Sequence, residues 1–179
     1  SDVADASRAQ LSDVRAELTT TNGSGIYEVD NANENTGPTL TNVAGGITSS
    51  GGLSKDAVIE LAGSLGAEVF NLKAGSSLTE LVNQVNLVSD ATGVTAQANG
   101  TTLELQSTGY GSSAIVDLKV IEEDDGDFTA AVGSGSRDTG SDVVATVNGI
   151  AANADGNKLS INTATLDLNA TVEADYIGL

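Results

Sequence analysis

Cysteine, histidine, methionine and tryptophan are absent from the 179 residues, and proline occurs once, at Pro38. Without cysteine there are no disulfides and no thiol nucleophile; without histidine the imidazole base and the commonest metal ligand are gone. Positive charge is scarce as well, with 7 Lys and Arg against 25 Asp and Glu and a net charge of −18. A phosphate-binding surface needs clustered Lys and Arg. Here the basic residues run scattered from Arg8 to Lys158 without a stripe, so the chain is read as binding no nucleic acid. Anionic membrane surfaces are disfavoured on the same ground. With two Phe and three Tyr the core has to be built from aliphatic side chains. The aliphatic runs are short, and none approaches the roughly 20 apolar residues that span a bilayer. No charged segment followed by an apolar one opens the chain and Ser1 is not an initiator methionine. The sequence is therefore expected to be an excerpt of a longer protein.

What is present is alternation. Val143, Ala145 and Val147 interleave with Val144 and Thr146 ahead of Asn148-Gly149, a dipeptide suited to a tight hairpin turn. Asp155-Gly156-Asn157 marks a second turn, after which Leu159 and Ile161, then Leu166 and Leu168, fall on every second position. Val58 to Ala62 and Glu68 to Leu72 alternate on either side of Gly66 and predict a further hairpin. Val94 to Ala98 and Thr102 to Ser107 predict another around Asn99-Gly100, and Ala114 to Ile121 predicts a strand. One segment has the helical period. Ser77 and Glu80 form a capping box, and Leu78, Leu81, Val82, Val85 and Val88 share a face, so a helix is expected over 78–89, ended by Gly93.

The N-terminal stretch supports two readings. Val3, Ser7, Leu11, Val14 and Leu18 fit one helical face, while Asp13 to Thr19 also alternates as a strand leading into Asn22-Gly23. Residues 22 to 52 are rich in Gly, Asn, Thr and Ser, with short strands expected around Ile26 to Val29 and Thr39 to Val43. The fold class is thus a β-dominated α+β fold: antiparallel hairpins and meanders with one short amphipathic helix. Three parts are expected: an N-terminal segment over 1–52, an α+β subdomain over 53–140 and a β-hairpin subdomain over 141–179.

The stretch DVVATVNGIAANADGNKLSINTATLDLNAT, Asp142 to Thr171, resembles the flagellin hook IN motif, carried by the outer region of bacterial flagellins and by filament cap proteins; VNG and DGNKLSINTATLDL carry the likeness. Phe70 to Val120 is similar to the strand, helix and strands that precede that motif. The resemblance implies an extracellular, structural role on the bacterial flagellum: the outer domain of a filament subunit, contributing to motility. Its partners would be other flagellin subunits, met through terminal segments absent from this chain, and the isolated piece is expected to be a monomer. The alternatives are a filament cap or hook-associated protein, or a calcium-dependent extracellular β adhesin module.

Several residue groups invite a chemical reading. Glu122, Asp124, Asp125 and Asp127, with Glu123 and Gly126, offer hard oxygen ligands on a turn, as Ca²⁺ requires, but without EF-hand spacing; a solvated turn is the plainer reading. Asp30, Asn31, Asn33, Glu34 and Asn35 are similar and lack a glycine or bidentate acid where such a loop needs one. Paired carboxylates could serve a hydrolase, yet a sugar-binding cleft needs aromatic or basic groups that this chain hardly has. Gly109-Tyr110-Gly111 and Gly133-Ser134-Gly135 lack the Lys-Ser/Thr of a phosphate loop. Asn22, Asn99 and Asn169 lie in N-x-S/T sequons. No catalytic residue, cofactor or metal is expected, and the chain is read as not an enzyme.

Overall fold

The computed structural model describes residues 14–20, 23–33, 37–45, 47, 51–147, 149–164 and 167–171. In chain order its elements are β1 (Val14–Thr20), β2 (Gly23–Asn33), β3 (Thr39–Ala44), β4 (Ala57–Gly63), β5 (Ala67–Leu72), α1 (Leu78–Leu87), α2 (Ser89–Thr92), β6 (Val94–Asn99) and β7 (Thr102–Ser107). There follow β8 (Ile115–Glu123), α3 (Asp127–Val132), β9 (Gly135–Thr139), β10 (Val144–Val147), β11 (Ile150–Ala151), β12 (Asn153–Asp155), β13 (Lys158–Asn162) and β14 (Asp167–Thr171). Every strand pairing among the described residues is antiparallel, and the class is β-dominated α+β.

Two compact units share the chain. One comprises Ser1–Thr36, Tyr110–Ser112 and Ser141–Leu179; the other comprises Gly37–Gly109 and Ser113–Gly140. The first unit holds a four-stranded sheet ordered β1-β2-β10-β11 and a three-stranded sheet ordered β12-β13-β14. Of the two readings of the N-terminus, the strand is the one seen over 14–20, where Val14 to Thr20 pairs with Gly23 to Val29; the Val3, Ser7 and Leu11 positions of the helical reading lie outside the described residues. The alternation at 143–147 buries Val143, Ala145 and Val147. They meet Leu159, Ile161 and Leu168, the period-two residues of β13 and β14, and this small aliphatic layer is the unit's core.

The second unit packs a sheet ordered β5-β4-β8-β9 with a sheet ordered β3-β7-β6. Ala57, Ile59 and Leu61 of β4 point inward with Phe70 and Leu72 of β5 and Val116 and Leu118 of β8. Leu103 and Leu105 of β7 and Val94 and Ala96 of β6 face them within the same core. The capping box forms as expected: Ser77 Oγ accepts from the Glu80 amide at 3.2 Å, and Glu80 Oε2 accepts from the Ser77 amide at 2.7 Å. Leu78, Leu81 and Val85 turn the apolar stripe of α1 into the core. The helix is two pieces rather than one over 78–89. It breaks at Val88 and resumes as α2, where fully buried Thr92 donates to the Val88 carbonyl and accepts from the Val94 amide, both at 3.2 Å.

Three further details depart from the sequence reading. Asn99 is the last strand residue rather than a turn residue: it pairs with Thr102, and Gly100, with φ of 64°, takes the first central position of the turn. The strand expected over 114–121 runs to Glu123, with Ile121 as the extra residue of a bulge between the Val58–Glu122 and Ile59–Val120 pairs. The stretch read as a solvated acidic turn continues into α3, whose Phe128 is the largest fully buried side chain in the chain's described part.

Candidate functional site

The acidic run is held by its own structure. Glu123 closes the open N-terminus of α3, its carboxylate accepting from the amides of Phe128 at 3.2 Å and Thr129 at 2.5 Å. A carboxylate there satisfies amides that the first helical turn leaves without partners. Asp127 turns the other way: its Oδ2 accepts from both the amide and the hydroxyl of Ser54 at 2.8 Å. Glu122, Asp124 and Asp125 stay exposed. Among the described residues no three acidic side chains converge as a cation site would require. Of the second acidic loop, Glu34 and Asn35 lie outside the described residues, and Asp30, Asn31 and Asn33 are strand residues of β2.

A different acid organises the first unit. Asp142 Oδ1 accepts from the amides of Ser112 at 2.9 Å and Gly156 at 2.8 Å, while Oδ2 accepts from the Ser112 hydroxyl at 2.7 Å. These bonds, the Ser112 hydroxyl's foremost, hold the carboxyl below its ordinary value of 3.8. Gly156 cannot be replaced simply, since its φ is 62° and a Cβ there would sit 2.9 Å from the Tyr110 carbonyl oxygen. The turn seen in sequence as Asp155-Gly156-Asn157 is thus also an anchor for Tyr110–Ser112. Spacing alone gives no hint of this, because 30 residues separate Ser112 from Asp142.

The broad open feature of the second unit is the outer face of its β5-β4-β8-β9 sheet. Four basic residues, scattered in sequence, gather about it. Lys119 of β8 reaches Glu60 of β4 at 3.4 Å, and Arg137 of β9 reaches Asp117 of β8 at 3.6 Å. At the end of the sheet Lys73 bonds Asp56 at 2.8 Å. The Ala74 amide first, and then Lys73, hold the Asp56 carboxyl below its ordinary value. Lys55 stands beside them on a depression of about 370 Å³ lined also by Val58, Asn71, Leu72, Glu122 and Asp124. Four of the seven basic residues (Lys55, Lys73, Lys119 and Arg137) therefore lie on or beside one sheet, between acids. Val69 and Ile121 are the exposed apolar side chains among them. The face thus alternates in charge, with acids and bases paired across neighbouring strands.

Residues 58–109 match the model of the flagellin hook IN motif. The match covers β4 to β7; it begins twelve residues before, and over 70–109 overlaps, the stretch Phe70 to Val120 read as preceding the motif, and it does not reach the Asp142 to Thr171 segment that the sequence pattern suggested. Similar folds occur in the D2–D3 domains of the flagellar cap protein FliD from Escherichia coli (TM-score 0.54, 20% identity, 89% of this chain and 90% of that one). The corresponding domains from Serratia marcescens give a TM-score of 0.55 at 20% identity, with 89% of this chain and 99% of that one covered. FliD (HAP2) from Pseudomonas aeruginosa gives 0.54 at 14% identity, over 89% and 84% of the two chains. No curated protein matches by sequence.

Proposed function

We propose, on the premise that this chain is flagellin-related through its hook IN motif, that it forms the outer, solvent-facing part of a flagellar cap protein. The observation that carries the proposal is extent. The cap-protein fold spans 89% of this chain, whereas the motif by itself covers only residues 58–109. The sequence pattern puts a filament subunit first and keeps the cap as its alternative, because the motif is read as common to both; a fold likeness that extends well beyond the motif favours the cap. In this reading the chain is structural and not enzymatic, lies outside the cell on the flagellum, and meets other flagellar subunits. The net charge of −18 keeps the exposed domain hydrated and resists indiscriminate sticking, over a range of about 10 Å at ordinary salt.

The test is where the protein sits. Gold-labelled antibody raised against this chain, applied to cells of the source bacterium, marks only the distal tip of each filament if the chain belongs to a cap. Label distributed along the filament would return it to the filament subunits, and filaments free of label would remove it from the flagellum's exterior.

A further inference from the structure

The sheet edges of the second unit are not treated alike. The β6 edge is covered by α1, and Asn86 plugs it: its Nδ2 donates to the Ala96 carbonyl at 2.9 Å, and its Oδ1 accepts from the Ala96 amide at 2.7 Å. Ala96 sits opposite Leu105 in a pair whose backbone groups point away from β7, so the amide side chain takes the place of a next strand. β3 carries a bulge and has its Thr39 amide bound by Asp138 of β9 at 2.9 Å, while β9 is short and bears Arg137 and Asp138. Bulges, short length and charge are the ordinary ways an edge is made unattractive to another strand.

The β5 edge has no such cover. The Gly63 amide donates to the Gly66 carbonyl at 2.9 Å, which fixes the alternation along the hairpin: Glu68, Phe70 and Leu72 exchange bonds with β4, and Ala67, Val69 and Asn71 direct their amides and carbonyls outward. Among the described residues these outward groups have no partner. Ala67, Glu68, Val69 and Asn71 are all exposed, Val69 by 49%. The three open positions are symmetric about Val69.

We propose that β5 is a self-association edge at which a second copy of this chain adds its own β5, antiparallel, with Val69 on the two-fold axis. In that register Val69 faces Val69, Ala67 faces Asn71, and Glu68 of one copy faces Phe70 of the other, so no like charges stand opposite. Each open amide meets an open carbonyl, and two four-stranded sheets become one continuous sheet. An edge of this length buries less than the roughly 1,200 Å² of a standard interface. The contact is accordingly weak and concentration-dependent, and it operates where subunits are already crowded together. Because the chain is strongly acidic, association strengthens as salt screens the repulsion between copies.

The absence of cysteine provides a clean probe in the whole chain. Facing residues of a bonded antiparallel pair have Cα atoms about 5.5 Å apart, inside the roughly 4.4–6.8 Å that a disulfide accepts. Under a mild oxidant Val69→Cys is expected to form covalent dimers about tenfold faster than Leu87→Cys, a control at a site 85% exposed on α1. Equal rates would overturn the proposal. Sedimentation from micromolar to millimolar concentration gives a second reading without a new thiol. The wild-type chain should dimerise as concentration rises, and Val69→Pro, which removes an outward amide that the fold does not use, should lose that dimer with an unchanged circular dichroism spectrum. A wild-type chain monomeric at millimolar concentration, or a Val69→Pro chain that dimerises as the wild type does, would equally sink it. Neither result bears on whether the chain belongs to a cap.

Discussion

Replacing Asn86 by alanine sets two forces of opposite sign against each other. On an exposed helix position, Asn to Ala should stabilise, because alanine is the better helix former by about 0.5 kcal/mol. Yet the Asn86 amide satisfies both backbone groups of Ala96, a residue only 7% exposed, through bonds of 2.9 and 2.7 Å. Each orphaned group costs about 1 kcal/mol, the low end of the range, since truncation also admits some water. The two losses exceed the propensity gain, and the net expectation is a destabilisation of about 1.5 kcal/mol. For a unit of this size that lowers the melting temperature by roughly 6–12 °C. Asn86→Asp sharpens the test, because a carboxylate can accept from the Ala96 amide but opposes the Ala96 carbonyl with a second acceptor; it should be no more stable than Asn86→Ala. Urea titration followed by circular dichroism reads both variants. A neutral or stabilised Asn86→Ala, or an Asn86→Asp as stable as the wild type, would refute the argument that this side chain stands in for a strand.

Two further outcomes follow from the packing and the charge. Phe128→Ala empties a fully buried position in the core of the second unit and should cost about 3–5 kcal/mol in the same denaturant titration; a loss under about 1 kcal/mol would mean that α3 contributes little to that core. The Asp142 carboxyl is held below 3.8 in the folded chain, so the stability it contributes is present above that value and disappears as the pH falls through the lower folded-state value. Asp142→Ala should therefore be less stable than the wild type at neutral pH, with the gap closing under acid. A gap that persists unchanged at the acid end of a melting series would assign the effect to the lost side chain's packing and not to its charge.

How far the sequence reached depended on whether the information was local. The capping box at Ser77 and Glu80, the β4–β5 hairpin around Gly66 and the alternating Val143, Ala145 and Val147 are set by neighbours a few residues apart, and all are present. α3 was illegible because its start lies in an acidic run with the composition of a solvated turn; what makes it helical is Glu123 closing its first turn and Phe128 finding a core built from distant strands. The break at Val88 depends on buried Thr92, whose burial no local pattern announces. The gathering of Lys55, Lys73, Lys119 and Arg137 beside one sheet is a product of register, since strand pairing alone brings Lys119 opposite Glu60 and Arg137 opposite Asp117. The Asp142 anchor and the open β5 edge are likewise properties of topology.

The bond from the Thr39 amide to Asp138 joins residues 99 positions apart, and it lies just inside the two ends of the second unit. The β2–β10 ladder of the first unit must bring Asn33 to Val144 across the whole intervening chain. In an unstructured polymer that closure would cost roughly 2–3 kcal/mol more in entropy than joining ends a few residues apart. Once Thr39 and Asp138 are tied, the intervening unit has become a short connector and that excess has already been met. The connectivity thus predicts an order of events: the inserted unit condenses first, and the flanking sheet then pairs its strands at little added entropic cost.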